Sequence, residues 1–122
     1  MSKFKYYNNN PRGIHTEDCV TRAITLASGL PYRKIRHKLE LIADLYECEK
    51  LCMCCYKMYI EQILRGIPVM ADDMTIGEFA DKYPRGIYLV RVDGHLSCVI
   101  DNVCYDIFDC RNMKITDAWR IY

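Results

Sequence analysis

The sequence predicts an α+β domain in which N-terminal helices pack on a C-terminal antiparallel β-meander. Its 122 residues, 51% of them hydrophobic and 27% charged, fit one domain with an ordinary buried core. Apolar residues recur every three or four positions in the first half, as in helices, and form short runs between turns in the second half, as in strands. We therefore divide the single domain 1–122 into an extended arm (1–14), a helical half (16–65) and a mainly β half (67–122).

The first helix is expected to begin at Thr16. This residue is a suitable N-cap, and Glu17 and Asp18 would put negative charge in the first turn, where the helix dipole favours it. Gly29 is a typical residue for ending a helix. The apolar face between these ends has helical spacing and consists of Val20, Ala23, Ile24 and Ala27.

Two further helices complete the helical half. Pro31 suits the start of the second helix, because proline is favoured in a first turn. The third helix is expected over 53–65 and ends before Gly66. The apolar stripe of the second helix is Ile35, Leu39, Ile42 and Tyr46, and the inward residues of the third are Tyr56, Ile60, Ile63 and Leu64.

The β half begins with a short helix and continues as strands. Thr75 and Glu78 form the pattern of a capping box, which opens a helix of one or two turns that stops before Pro84. Turn residues at 93–94 and 101–102 then separate short apolar runs, as in two-residue hairpins. The predicted strands are Ile87–Val92, His95–Ile100, Val103–Phe108 and, at the end, Asp117–Tyr122.

Charge and targeting signals exclude several classes of partner. Seventeen Lys and Arg against 16 Asp and Glu give a formal net charge of +1, so we expect neither nucleic acid nor membrane as a partner. The basic run 33–38 is interpreted as a solvated helix face. The N-terminal residues show no secretory signal, and no apolar stretch has membrane-spanning length. Eight cysteines would then stay reduced, and we expect a cytoplasmic protein.

Cys19 is the candidate nucleophile. It falls in the first turn of the first helix, where unpaired backbone N–H groups and the helix dipole stabilise a thiolate. The same N–H groups can bind the oxyanion that forms when a thiolate attacks a carbonyl. The alternative interpretation is that Cys19 is a small core residue on a helix that begins there.

His95 is the candidate base. It begins a mostly apolar strand directly after a turn, so its ring can project from the end of the sheet. A histidine on a strand that faces a cysteine on a helix forms a thiolate–imidazolium pair. His37 belongs to the basic helix face, and His15 is too close to Cys19 along the chain to be the preferred base, although it could line a cleft.

The imidazole needs a carboxylate to orient it, and Asp106 and Asp109 are the two candidates. The choice depends on the turn at 101–102. A two-residue turn puts Asp106 on the same sheet face as His95, whereas a three-residue turn would put Asp109 there. We favour Asp106, and the alternative for either carboxylate is a solvated or turn-capping group.

Residues 17–29, 94–101 and 105–110 resemble small papain-like cysteine-peptidase-fold proteins that are common in bacteriophages. The chain order cysteine, histidine, acid is that of the papain-like superfamily. The segment 18–24 is also similar to the nucleophile motif of ovarian-tumour deubiquitinases, although the spacing to His95 is short for them. The resemblance implies a papain-like fold, with a nucleophile-bearing helix packed on an antiparallel sheet that carries the histidine and the acid. For a phage protein it also implies the host cytoplasm as location.

One departure from the papain-like pattern concerns the oxyanion. Such peptidases usually have a side-chain donor, often glutamine, shortly before the cysteine, and residues 11–18 contain neither Gln nor Asn. Asn8, Asn9 and Asn10 are the candidates for this role. The alternative is that no side chain fills it.

A dense group of cysteines around the third helix has to be weighed as a zinc site. The group consists of Cys48, Cys52, Cys54 and Cys55. Zinc ligands usually come in Cys-x-x-Cys pairs within a turn, whereas these residues lie in or beside helices, where adjacent side chains diverge. We therefore expect neither a metal nor another cofactor. Cys98, Cys104 and Cys110 are interpreted as free thiols, with Cys98 and Cys104 near enough to oxidise outside a cell.

Two functions are compatible with these features. The first is a thiol hydrolase in which Cys19 attacks a peptide, isopeptide or other amide, His95 acts as base and then as acid, and Asp106 orients the imidazole. The second is a catalytically inactive papain-like fold that acts as a phage-encoded module binding a host protein. A lowered thiol pKa at Cys19 would favour the enzyme, and an ordinary value of about 8.5 would favour the binding module.

Overall fold

The computed structural model describes residues 1–14, 18–47 and 53–122. The helices are α1 (Cys19–Ser28), α2 (Tyr32–Leu45), α3 (Met53–Met58), which continues into a π-helical segment (Tyr59–Ile63), and α4 (Ile76–Lys82). The strands are β1 (Lys3–Tyr6), β2 (Ile67–Pro68), β3 (Ile87–Val92), β4 (His95–Ile100), β5 (Val103–Asp106) and β6 (Ile115–Arg120). Within these ranges, no helix has both the length and the apolar character needed to cross a membrane.

A six-stranded mixed sheet forms the centre of the fold, with the strand order β1-β5-β4-β3-β6-β2. β1 runs parallel to β5, and the other neighbouring strands are antiparallel. Together with the helices, this sheet confirms the predicted α+β class. The consecutive strands β3, β4 and β5 are the predicted meander.

Both turns of the meander have the predicted length of two residues. Ile100 lies opposite Val103 across the second turn. The two turn residues, Asp101 and Asn102, have φ angles of 46° and 71°, which is the left-handed conformation that tight hairpin turns of the primed type require. The register of β5 against β4, and with it the face on which each β5 side chain lies, follows from this turn.

The ends of the sheet differ from the prediction. The N-terminal arm contributes β1, which covers the outer edge of β5. The last strand is Ile115–Arg120 instead of Asp117–Tyr122, and it pairs with β3 on the other side of the meander. β5 ends at Asp106 instead of Phe108, at the point where the Ile107 N–H donates to the Asp106 carboxylate over 2.8 Å.

Helices cover both faces of the sheet. α1, α2, α3 and the π-helical segment pack on one face, and α4 covers the other. Fully buried residues of the first layer include Ile24, Ile35, Ile60 and Leu89, and those of the second include Ile76, Phe79, Val90 and Val99. Because α1 packs mainly on β4, its first residue, Cys19, lies beside the beginning of that strand.

α1 begins at Cys19, later than predicted. Asp18 occupies the N-cap position without a capping hydrogen bond from its side chain, because its carboxylate is paired with Arg22 one turn along the helix. The prediction that Asp18 charges the first turn is therefore wrong. Gly29 ends the helix as predicted, with a φ angle of 72°.

Two residues predicted to point inward are exposed. Tyr46 follows the last residue of α2 and is 59% exposed. Ile63 is 50% exposed, because the backbone before it is π-helical and the Leu64 N–H donates to the Tyr59 carbonyl five residues back. The wider turn shifts the apolar face, so that Tyr59 is buried together with Ile60, which was predicted to point inward.

Two local predictions are confirmed. The Thr75 hydroxyl accepts from the Glu78 N–H, and the Glu78 carboxylate accepts from the Thr75 N–H, which completes the capping box of α4. This helix ends at Lys82, before Pro84. The basic residues of the run 33–38 lie exposed on α2.

Candidate active site

Cys19 lies where α1 meets the sheet. It is the first residue of the helix and is partly buried. Its sulfur is hydrogen bonded to the His95 side chain and to the Leu96 backbone N–H. Burial alone would raise the pKa of the Cys19 thiol. The bonds to His95 and Leu96, together with the positive charge of Arg22, outweigh burial and lower this pKa below its usual value.

His95 is the first residue of β4 and joins the cysteine to a carboxylate. Its Nε2 lies 2.6 Å from Oδ2 of Asp106, and its ring packs against Phe108 with 4.9 Å between the centroids. Burial alone would lower the pKa of His95, but the hydrogen bonds with Asp106, Cys110 and Cys19 raise it to about 11. The raised pKa of His95 and the lowered pKa of Cys19 are typical of an imidazolium–thiolate pair.

Asp106 is the carboxylate that the register predicts. It is the last residue of β5, is 3% exposed, and also accepts from Ser97 Oγ at 2.7 Å and from the Ile107 N–H. Burial would raise its pKa, yet the hydrogen bonds, first among them that of His95, lower it to about 2. Asp109 instead faces outward, with both carboxylate oxygens bound to Arg111. The two-residue turn thus assigns the position beside His95 to Asp106.

A buried network that the sequence did not predict lies behind these three residues. Arg22, 7% exposed, donates through Nη1 to Oδ1 of Asp106 at 3.2 Å and through Nε to Asp18 at 2.7 Å. Asp18 in turn accepts from the Tyr32 hydroxyl at 2.6 Å and from the Asn10 amide at 2.9 Å. The i, i+4 spacing of Asp18 and Arg22 is a signal for the first pair, but no sequence signal joins Arg22 to Asp106.

The three asparagines suggested as oxyanion donors bind the scaffold. Asn8 donates to the Ile14 carbonyl, and Asn10 donates to Asp18. Asn9 lines a narrow space beside Cys19, but its amide donates to the Arg22 carbonyl at 3.0 Å. The donors best placed for an oxyanion at Cys19 are therefore the backbone N–H groups at the N-terminus of α1.

The remaining thiols do not pair as predicted. Cys98 lies opposite Tyr105, whereas Cys104 lies opposite Val99, so Cys98 and Cys104 point to opposite faces of the sheet and cannot oxidise together. Cys104 lies instead against Cys110, with 3.6 Å between the sulfurs.

Cys110 also approaches the acid and the base of the site. Its sulfur and donor atoms of His95 and Asp106 lie within 4.8 Å of one another, a spacing that could accommodate a metal ion. These atoms are already hydrogen bonded to one another, and Arg22 puts a positive charge against Asp106. The surroundings therefore favour the hydrogen-bonded arrangement over a bound cation.

Several features considered in the sequence lie outside the described residues. These are the cap at Thr16, the charge at Glu17, the alternative base His15 and the cysteines Cys48 and Cys52. His37, the other alternative base, is exposed on α2.

A cleft of about 270 Å³ opens beside the sulfur of Cys19 and the ring of His95. Val20 and Met53 contribute apolar surface to it, and Tyr56 and Arg91 contribute polar groups. The candidate nucleophile and base are thus accessible from a space large enough for a few atoms of a substrate.

No protein-family model, curated protein or solved structure matches the chain. The resemblance to papain-like peptidases therefore rests on its sequence motifs. What bears on function beyond those motifs is the geometry of Cys19, His95 and Asp106.

Proposed function

We propose that the protein is a thiol hydrolase of the papain-like cysteine-peptidase type, acting on a peptide, isopeptide or other amide bond. The observation that carries this proposal is the continuous hydrogen-bonded chain from the Cys19 sulfur through the His95 ring to the buried carboxylate of Asp106. A nucleophile, a base and a group that orients the base are the three components that cysteine hydrolases require. Here they come from a helix and two strands of a packed scaffold.

In the proposed reaction, the Cys19 thiolate attacks the substrate carbonyl carbon and forms a C–S bond. The N–H groups at the start of α1 stabilise the resulting oxyanion. His95 then gives its proton to the leaving nitrogen, the C–N bond breaks, and a thioester with Cys19 remains. His95, now neutral, takes a proton from water as it attacks the thioester, which releases the carboxylic acid and restores the thiolate.

Asp106 and Arg22 support this proton transfer without touching the substrate. Oδ2 of Asp106 accepts from His95, so the other ring nitrogen of His95 is the one available for the thiol and the leaving group. Arg22 binds Oδ1 of the same carboxylate, which keeps Asp106 ionised and fixes its rotation.

The proposal is tested by alkylation of Cys19 with iodoacetamide as a function of pH, followed by peptide mass mapping. We expect a thiolate titration midpoint well below about 8.5, and a rise of this midpoint in His95→Gln, because the imidazolium no longer stabilises the thiolate. The buried Cys98 is an internal control, since burial raises its pKa and it should stay unlabelled. An ordinary midpoint at Cys19 would favour a non-catalytic binding module.

Turnover is tested with an activated ester such as p-nitrophenyl acetate. A hydrolase is expected to show a burst of p-nitrophenol, an acetyl group on Cys19, and steady release afterwards, all absent from Cys19→Ser. Labelling of Cys19 without any deacylation would contradict the hydrolase and leave only a reactive thiol.

A further inference from the structure

The cleft beside Cys19 has a polar wall that the proposed proton transfer does not use. Arg91 of β3 and Tyr56 of α3 form this wall and are hydrogen bonded to each other. Arg91 lies opposite Leu96 of β4, the strand that begins with His95. The wall is therefore built on the same strand pair as the candidate base.

Arg91 is held in place but still accessible. Its Nη1 donates to Thr116 Oγ1 at 2.9 Å and to Asp117 Oδ2 at 3.2 Å, and its side chain remains 28% exposed. A guanidinium group has five N–H donors, so these contacts leave donors for a ligand in the cleft. An arginine fixed in this way loses little conformational entropy when a ligand binds.

Tyr56 supplies a second donor. Because an arginine side chain can only donate, the Tyr56 oxygen accepts from Arg91, and the phenolic hydrogen is left for another acceptor. The tyrosine is 4% exposed, and burial raises its pKa, so the hydroxyl stays protonated at neutral pH. Arg91 and Tyr56 together present N–H and O–H donors to the same cleft.

The charge of the cleft also favours an anion. Among the described residues that line it, none is acidic, and the only negative group is the Cys19 thiolate, which is paired with His95. Asp117 borders a different groove. Since Asp117 already offsets part of the charge of Arg91, the wall suits a monoanionic carboxylate better than a phosphate dianion.

We propose that Arg91 and Tyr56 form a carboxylate-binding subsite, so that the preferred substrate carries a carboxylate close to the bond that is cleaved. This inference rests on the proposed function, because it assigns the substrate class of the same site. The carboxylate is either an acidic side chain or a free C-terminus, and both present the same two oxygens to the guanidinium group.

The experiment compares alkylation of Cys19 by two pairs of chloroacetyl compounds, in which the sulfur displaces chloride and no hydrolysis is needed. Chloroacetyl-glutamic acid α-amide against chloroacetyl-glutaminamide tests a side-chain carboxylate, and chloroacetylglycine against chloroacetylglycinamide tests a terminal one. We expect the acid of one pair to react roughly tenfold faster than its amide, and the preferred pair identifies the source of the carboxylate.

The preference should fall to near equality in Arg91→Gln, be partly retained in Arg91→Lys and weaken in Tyr56→Phe. Arg120→Gln is the matched control, because Arg120 is an exposed arginine at the other end of the pairing between β6 and β3. Thermal denaturation of each variant checks that it is folded.

Equal rates within both pairs, or a preference that survives in Arg91→Gln, would overturn the subsite. The iodoacetamide profile separates this failure from that of the proposed function. A Cys19 with a low titration midpoint and no preference overturns the subsite alone, whereas a Cys19 that no reagent alkylates rapidly overturns both.

Discussion

At the scale of single residues, the environment of Asp106 decides how the site works. Its two carboxylate oxygens have different partners, with Oδ1 bound by Arg22 and Oδ2 bound by His95 and Ser97. A carboxylate held on both sides cannot rotate without breaking buried hydrogen bonds, and each of those bonds costs free energy to lose. Asp106 therefore fixes both the charge and the orientation of His95.

Substitution of Asp106 should disrupt the thiolate. In Asp106→Asn the imidazolium loses its negative partner, so we expect the pKa of the Cys19 thiol to rise by roughly 1–3 units and alkylation near neutral pH to slow accordingly. Asp109→Asn is the matched control, because Asp109 binds only Arg111 among the described side chains. The measurement is the pH profile of iodoacetamide labelling at Cys19.

The reverse ranking of the two aspartate variants would transfer the orienting role to Asp109. No effect from either variant would mean that backbone or water orients His95. That result would also favour the binding module over the hydrolase.

At the scale of elements, short local signals set the ends of the helices that flank the sheet. α4 spans only Ile76–Lys82, and a helix of this length gains little from propensity alone. Its capping box and its fully buried Ile76 and Phe79 hold it against the face of the sheet opposite α1. The stability of α4 is therefore expected to be separable from the chemistry of Cys19.

The capping box gives a direct test of this separation. Thr75→Ala removes the hydroxyl that accepts from the Glu78 N–H, and we expect it to lower the free energy of unfolding by about 1 kcal/mol. Thr75→Ser keeps the hydroxyl, so its free energy of unfolding should fall much less. Urea denaturation measures both, and the pH midpoint of Cys19 labelling should be the same in the two variants. A shifted midpoint would show that α4 and the site are coupled.

At the scale of the whole molecule, the site is also a buried charge network that links the N-terminal region to β5. Asn10, Asp18, Arg22 and Asp106 connect the N-terminal arm, the start of α1 and the end of β5. Buried ion pairs are costly to break on one side only, because the remaining charge stays unpaired. The fold should therefore be sensitive to protonation of this network.

The acid dependence follows from the sign of the shift at Asp106. Its pKa falls from 3.8 to about 2 on folding. Its contribution to the free energy of unfolding is therefore present above pH 3.8 and is lost as the pH falls towards 2. This lowering of the pKa corresponds to about 2 kcal/mol in the free energy of unfolding. Because pH 3 lies between these two pKa values, urea denaturation at pH 6 and pH 3 should show about half of this loss, roughly 1 kcal/mol, in the wild type and none of it in Asp106→Asn. An equally steep loss in the variant would assign acid sensitivity to other groups.

Local patterns in the sequence were sufficient for much of the fold and for part of the site. The periods of apolar residues predicted the helices and strands, and the turn residues at 101–102 predicted which face Asp106 occupies. The periodicity assumes a regular helix and gave wrong results in the π-helical segment. There it predicted that Ile63 is buried, although this residue is exposed, and it did not predict the burial of Tyr59. These successes and failures have one cause, since side-chain direction follows from backbone geometry within a few residues.

The amino-acid sequence by itself determined the α+β class, the β3–β4–β5 meander and the places of Cys19 in the helix and of His95 and Asp106 in the meander, because these depend on local conformation and turn chemistry. Only the tertiary structure decided which side chains meet. The bond of Arg22 to Asp106 and the meeting of Arg91 with Tyr56 join residues far apart in the chain, as does the parallel pairing of β1 with β5. Such contacts depend on how whole helices and strands pack, which no local pattern encodes.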